Sequence, residues 1–548
     1  MRPMNKYSRT VLEKLTDAIN KLDFGSALFL LKGEAEPMVE LSRIRDADEL
    51  TRLKIYGMCA EIYDYAGQYE SAREVIEADG RRSETILRNG SPASEEERLL
   101  LKQRVWVVIH WASTFYRAHH YGRARQLFLL CKEALEKRVV TDADPSAWTL
   151  SRIYYSLGLV QRQVYGYSSA RGWFGKSIEE AWRSFERRTH KLATTDLIYQ
   201  QTRRLTDFYV AKSLGLGLAW TYYTEGQLQL ASSLVITARL LLASTNEDVI
   251  RSYIEVVWGS ILAAQGNRPE AITVFKGAYN TFIEHKAYRI RAANELVVAY
   301  VHEYTRFSKS GNLKEARRCL KEARRYIKEV KDFATSRSDI RWECNALIAE
   351  SRLMRALGEY RAAEEIATGA LDTGGEQRFL RIDASIARGE ARLALRAFDE
   401  ACEDFSRAQN DSIDNRKVQA VCHLHLCRTY IEKGDHRRAL RHRDDAARHL
   451  EHIDNKFVLD LDCEIASMVE KTTGDDFRIR FSESALEPWK LEKELHAFLA
   501  GWAEHQAGAN TEPWKLLGVS KQTFYTWRSE VGSDREGKKP RLPSRGNK

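Results

Sequence analysis

The sequence predicts an all-helical chain organised as a solenoid of helical hairpins, and three observations predict it. A short module, glycine-x-Tyr/Leu with an alanine three residues after the aromatic, recurs about nine times, as in Gly67-Gln68-Tyr69-Glu70-Ser71-Ala72 and Gly358-Glu359-Tyr360-Arg361-Ala362-Ala363. Around these alanines a small residue stands twelve positions earlier and a bulky one four later. The pairs are Ala60 and Ile76 about Ala72, Gly158 and Phe174 about Ala170, Gly259 and Phe275 about Ala271, and Gly389 and Phe405 about Ala401. Only nine prolines occur in 548 residues, so long helices run unbroken. Small residues on facing helices let backbones approach closely, and the bulky residue is expected to plug the neighbouring unit.

Taken in order, residues 1–50 read as capping helices and 51–455 as the repeat array. The first clear unit runs from about Leu53 to Asp79. Ser94 and Glu97 form a capping box after the break at Asn89-Gly90-Ser91-Pro92. Asp144 is expected to cap the next helix, with Pro145 at its first position. Key alanines follow at 124, 170, 231, 271, 316, 363, 401 and 439, so successive units are 38 to 61 residues long. Residues 456–487 read as a closing helix and linker, with Phe477-Arg478-Ile479-Arg480-Phe481 alternating like an extended segment. A helix is expected near Trp489–His505, within a terminal module spanning 488–530. Residues 531–548 form a basic, glycine- and proline-bearing tail.

The repeat pattern resembles the tetratricopeptide repeat over roughly residues 50–450. The resemblance implies a right-handed superhelix whose inner face is lined by the first helix of each pair. The family's period of about 34 residues is exceeded throughout, so longer helices or inserted loops are expected. The tryptophan early in the first helix and the proline closing the unit are both missing. Placing the family's groove positions on this chain gives Trp106, Tyr116, Tyr155, Trp220, Tyr223 and Tyr253 in the middle units, then Arg352, Arg355, Glu390 and Arg428. One reading is a groove for a peptide or protein partner, aromatic in its middle and charged at its end. The other is that longer helices bury these aromatics as ordinary core.

The terminal stretch Trp514-Lys515-Leu516-Leu517-Gly518-Val519-Ser520-Lys521-Gln522-Thr523-Phe524-Tyr525-Thr526-Trp527-Arg528 resembles a helix-turn-helix of the Fis type. Gly518 suits the left-handed close of the first helix, and Ser520 can cap the second. The resemblance implies a module that binds double-stranded DNA in the major groove, normally as a dimer. Lys521, Gln522, Thr523, Thr526 and Arg528 would face the duplex. Trp514 stands where such motifs usually carry a small residue. Protein docking and a structural end cap remain alternative roles for the module. Together the two resemblances imply a transcription regulator that senses a peptide or protein through its repeats; a scaffold in a multi-protein complex is the competing class.

Composition sets further bounds. Charged residues are 30% and hydrophobic ones 43%, and the net charge of +9 is mild for this length. The eight cysteines form no CxxC pair, which suits reduced packing in a cytoplasmic protein. The apolar stretch at Leu234–Ala243 is cut by Arg239, so no membrane association is expected. Cys422-His423-Leu424-His425-Leu426-Cys427 carries metal-ligand types, yet on one helix only His423 and Cys427 share a face, so no metal is expected. No phosphate loop, HExxH or nucleophile elbow occurs, and neither cofactor nor catalysis is expected.

Overall fold

A computed structural model describes residues 49–65, 69–89, 94–138, 147–164, 166–243, 245, 247–282, 286–337, 339–375, 377–472, 500, 512–516 and 520–530. The expected capping helices before residue 49, the Gly67 turn, the Asp144-Pro145 cap and the 473–487 linker lie outside the described residues. So do the bulk of the expected 489–505 helix, the Gly518 turn and the basic tail. The chain divides into two units, Met1–Val469 and Glu470–Lys548.

The described part of the first unit is nine successive helical hairpins and a closing helix. The hairpins are α1 (Glu49–Tyr65) with α2 (Tyr69–Asn89), α3 (Glu95–Arg117) with α4 (Tyr121–Arg138), and α5 (Ala147–Gln163) with α6 (Tyr167–Thr189). In the fourth, α7 (Leu197–Lys212) passes through a π-helical stretch, Ser213–Ala219, into α8 (Trp220–Thr224) and then turns into α9 (Leu228–Leu242). There follow α10 (Asp248–Ala264) with α11 (Arg268–Thr281), and α12 (Lys286–Lys309) with α13 (Leu313–Arg337). The last three are α14 (Ile340–Leu357) with α15 (Tyr360–Gly374), α16 (Arg378–Ala394) with α17 (Phe398–Asp411), and α18 (Arg416–Lys433) with α19 (His436–Leu450). The closing helix is α20 (Lys456–Thr472). No strand occurs among the described residues, and the all-α solenoid is as expected. Long helices account for the long period: α12 and α13 have 24 and 25 residues.

The recurrent module is the turn inside each hairpin. Gly226, Gly266, Gly311, Gly358 and Gly434 adopt positive φ there, between 74° and 91°. The amide two bonds on closes back over the helix end, as in Gln227 N–H to the Tyr222 carbonyl at 2.9 Å and Glu359 N–H to the Met354 carbonyl at 2.9 Å. This is the Schellman closure, which needs a left-handed residue and so favours glycine. His119 and Arg396 take the same conformation, φ 64° and 62°, without being glycine. The nine key alanines, from Ala72 to Ala439, are at most 3% exposed. Each bulky partner lands first on the small residue of its own hairpin. A Cβ on Gly158, Gly259 or Gly389 would lie 2.6, 2.6 or 2.8 Å from the ring of Phe174, Phe275 or Phe405. Two of these rings also reach the next unit, as expected: Phe174 meets Gly217 of the following hairpin at 2.6 Å, and Phe405 stacks on His425 of the following hairpin at 4.8 Å. The box at Ser94 forms: its Oγ accepts from Glu97 N–H at 3.1 Å while Glu97 Oε2 accepts from Ser94 N–H at 3.3 Å.

The coil returns on itself five to six hairpins later. His119 in the second turn lies 3.8 Å from the Asp339 carboxylate at the start of α14, and Tyr121 meets Phe379 edge-on. Asn415 Nδ2 donates to the Tyr167 hydroxyl at 3.2 Å. The Asp454 carboxylate, from the loop before α20, accepts from the backbone amides of Leu228 and of Gln229 (2.8 Å), and Asp454 N–H donates to the Gly226 carbonyl at 3.1 Å. Asp454 thus caps the start of α9 from 226 residues away. No described helix is long and apolar enough to cross a membrane.

Candidate functional site

Closure of the coil leaves an inner cavity of about 620 Å³, lined largely by the first helices of successive hairpins. Five predicted groove residues line it: Trp106, Tyr116, Tyr155, Trp220 and Tyr253. Tyr155 is buried, and the other four are half-buried with part of each ring turned inward. The size is within the range of small-ligand and peptide-side-chain pockets.

The walls carry an unbalanced charge that aromatic positions alone did not reveal. Eight arginines and lysines line the cavity (Arg73, Arg117, Arg152, Arg162, Lys212, Arg291, Arg337 and Arg341) against three carboxylates, Glu61, Glu70 and Asp339. Arg152 pairs with Glu61 at 2.6 Å and lies over the Trp106 ring at 5.7 Å. Arg291 covers Trp220 at 4.2 Å, and Lys212 covers Tyr155 at 4.9 Å. Each aromatic face is thus already electrostatically complementary to a cation, which holds the cations pointing along the cavity wall. Behind them, burial and then the charges of Arg152 and Lys212 hold His110 well below the usual imidazole range, so it adds no charge near neutral pH. Trp148 Nε1 and Arg341 Nε are buried without a hydrogen-bond partner among the described residues. Unpaired buried donors are costly, on the order of 1–3 kcal/mol each.

The π-helical stretch shapes one wall. The carbonyls of Leu216 and Gly217 on this stretch accept from Arg162 at 2.7 and 3.3 Å, which fixes that guanidinium at the cavity. Gly215 and Gly217 are required by close approach, since a Cβ would meet Ile254 at 2.8 Å or Phe174 at 2.6 Å.

The remaining predicted groove residues are placed elsewhere. Tyr223 is not among the cavity's lining residues, and Lys417 lies over its ring at 5.3 Å. Arg352, Arg355, Glu390 and Arg428 also stand outside it, and three of them are held in ion pairs. Arg355 pairs with Glu390 at 3.1 Å, His425 approaches Glu390 at 3.7 Å, and Arg428 pairs with Glu432 and Glu464 at 3.1 and 3.5 Å. Burial opposes the Glu390 charge, but Arg355 and His425 outweigh it and hold its carboxyl below the usual range.

In the second unit α21 (Pro513–Leu516) precedes α22 (Lys521–Glu530). Ser520 caps α22: its Oγ accepts from Thr523 N–H at 3.0 Å. Phe524 is buried, and the Trp514 ring stands 6.4 Å from it and 6.1 Å from Tyr525. The bulky Trp514 is therefore accommodated half-buried against α22. Of the predicted DNA-facing residues, Lys521 and Gln522 are exposed, with the Lys521 ammonium 4.9 Å from the Trp514 ring. Thr523 is half-buried and shares a hydroxyl hydrogen bond with Ser520 at 2.7 Å, while the exposed Thr526 donates to the Gln522 carbonyl at 3.0 Å. The side chain of Arg528 lies outside the described residues.

All eight cysteines are free, and burial pushes the thiols of Cys59 and Cys344 up to about 12. The six buried ones, Cys59, Cys131, Cys319, Cys344, Cys422 and Cys427, act as small apolar packing groups.

No family model matches the chain, and no curated protein matches it. Among solved structures it is similar to a Rap protein complexed with competence and sporulation factor, at 14% identity and TM-score 0.44, over 76% of this chain and 100% of that one. It is also similar to an IFIT1 monomeric mutant with m7Gppp-AAAA (16%, TM-score 0.40, 80% and 94% covered) and to yeast Tom70 (11%, TM-score 0.37, 89% and 99% covered).

Proposed function

We propose that this protein works by binding rather than by catalysis: the solenoid receives an acidic, aromatic-bearing peptide in its inner cavity, and the C-terminal module contacts duplex DNA. The observation that carries the first half is the cavity itself, with aromatic walls and eight cationic side chains against three acidic ones. In a concave, partly enclosed site such an excess favours an anionic guest, and its aromatic faces favour a planar one. The inferred role is a ligand-responsive regulator. Because the cavity exists only where later hairpins return onto earlier ones, a guest in it bears on closure at Asp454 and Gly226. Eight free cysteines suit a reducing, cytoplasmic setting.

Selection from a random peptide library against the full chain tests this reading. Acidic peptides with an aromatic residue should be enriched, bind less tightly as salt rises, and lose about tenfold or more affinity with Lys212→Ala or Arg291→Ala. Enrichment of basic or purely aliphatic peptides refutes it.

For the C-terminal module, DNA contact rests on the Fis-type resemblance, the Ser520 cap and the exposed Lys521 and Gln522. Protein docking is the second reading, favoured by the local engagement of Lys521 with Trp514 and of Thr523 with Ser520. Selection of bound sequences from random duplex DNA separates them: a regulator enriches a defined site, whereas a protein-docking module enriches none.

A further inference from the structure

Where α18 and α19 pack together, three metal-ligating side chains converge that the sequence keeps 19 and 22 residues apart. His423 on α18 turns its Nδ1 to within 3.1 Å of the His442 Nδ1 on α19, and Asp445 Oδ2 lies 3.9 Å from the same His423 nitrogen. All three ligand atoms fall within 4.8 Å of one another. We infer that His423, His442 and Asp445 bind a divalent transition-metal ion of the zinc class, cross-linking the two helices of the last hairpin.

Ligand bonds of about 2.0–2.1 Å at a tetrahedral angle separate neighbouring ligand atoms by about 3.3 Å. The observed 3.1 Å between the two imidazole nitrogens matches this already, and a small rotation of the half-exposed Asp445 brings its oxygen in. The surrounding groups hold the rings in place. Gln409 Nε2 lies 3.1 Å from the outer nitrogen, Nε2, of His423, so the amide fixes the ring from behind. A ligating His423 would carry its proton on that Nε2 and need the amide oxygen there, an exchange of Gln409 oxygen and nitrogen that costs only a flip. Tyr430 stacks on His442 at 5.4 Å and 3°, and His449 stacks on His423 at 5.7 Å and 17°. Burial, followed by the neighbouring histidines and Arg448, holds His423 at about 4. Burial and then Arg438 also lower His442.

Two histidines and one carboxylate leave a fourth position for water, and Asp445 opens the site to solvent. The guanidiniums of Arg438 and Arg448, the latter paired to Asp445, oppose a dication. They lower the expected affinity below that of a closed structural site. The other metal-ligand types of the 422–427 run point away. Cys422 and Cys427 are buried in apolar clusters, and His425 stacks on Phe405 at 4.8 Å.

The test uses the tag-free full-length chain, stripped with chelator and titrated with cobalt(II) as a coloured stand-in for zinc. One equivalent is expected to produce ligand-field absorption that zinc(II) then displaces. His442→Ala, with unchanged circular dichroism, should weaken the binding by about tenfold or more. Asp445→Asn should weaken it too, while His436→Ala, an exposed histidine on the same helix outside the cluster, should not. The inference is overturned if the wild type takes up no more cobalt than His442→Ala. It is equally overturned if His436→Ala loses binding to the same extent. In either case the 3.1 Å contact is a hydrogen bond between two neutral imidazoles and nothing more.

Discussion

Gly259→Ala measures whether the small-residue positions are steric requirements or only sequence habit. A Cβ at Gly259 would lie 2.6 Å from Phe275 Cε1, 2.8 Å from Cδ1 and 3.1 Å from Cζ. Comfortable carbon contacts begin at about 3.5 Å, so the methyl and the ring overlap by nearly an ångström. Phe275 is 1% exposed and has no room to swing aside. Overpacking of this kind costs about 1–3 kcal/mol. Replacing a helical glycine by alanine returns about 1 kcal/mol, so the net expectation is a loss of up to about 2 kcal/mol. Gly277, on the partner helix α11, has nothing within 4 Å of its would-be Cβ and reports the propensity gain alone. The difference between Gly259→Ala and Gly277→Ala therefore isolates the overlap, at about 1–3 kcal/mol. Urea unfolding followed by far-ultraviolet circular dichroism gives the comparison, provided the two variants share one slope. The double variant Gly259→Ala/Phe275→Leu should recover part of the loss, because the shorter side chain relieves the clash. Equal midpoints for Gly259→Ala and Gly277→Ala would refute the reasoning, and with it the view that ring-on-glycine contacts set the hairpin spacing.

Four further outcomes are expected. Asp454→Ala removes the remote cap on α9, and hydrogen exchange at Leu228 to Ala231 should accelerate by roughly threefold to thirtyfold, as a cap worth about 0.5–2 kcal/mol predicts. His302 and His425 are both held at about 4, by burial first and then by nearby arginines; Glu390 pulls the other way. The unfolded chain protonates them near 6.5 and the folded chain only near 4. Stability is therefore full above about 6.5 and falls as pH drops towards 4, by about 1.4 kcal/mol per unit for a fully buried group. Unfolding midpoints measured across this range should show that slope, and His425→Gln should flatten it. Trp106→Ala should release Arg152 from its ring and weaken any selected acidic peptide, seen as a rise in Kd by fluorescence anisotropy at a temperature where the variant stays folded. Lys521→Ala combined with Gln522→Ala should abolish retention on duplex DNA at low salt. Unchanged retention would leave protein docking as the role of the terminal module.

How far the site could be read in advance followed from the range of the interactions involved. Trp106, Tyr116, Tyr155, Trp220 and Tyr253 were legible because hairpin geometry fixes which positions of a first helix point inward. Tyr223 follows Trp220 by three positions, yet it falls outside the lining residues where the chain has just left the π-helical stretch. No spacing rule announced that widened turn. Arg355 and Arg428 looked like part of a charged groove end, but Glu390 and Glu464 reach them from other helices, and Glu432 pairs with Arg428 from one turn further along its own helix. The cavity's own cations escaped notice for the converse reason, since no single helix holds more than a few of the eight.

The sequence by itself determined what short-range sterics control. Glycines at the left-handed turns, buried alanines after them, small residues facing phenylalanine rings and the capping box at Ser94 are each settled within one hairpin. Tertiary structure alone decided the rest, because it depends on partners brought together by the pitch of the coil. His119 and Arg396 take a glycine conformation that their identities do not advertise. Asp454 caps a helix 226 positions away, Asn415 meets Tyr167, and His423 meets His442 across two helices. A residue pattern fixes the angle between neighbouring helices; small errors in that angle accumulate over five or six hairpins, and only the folded coil shows which residues finally touch.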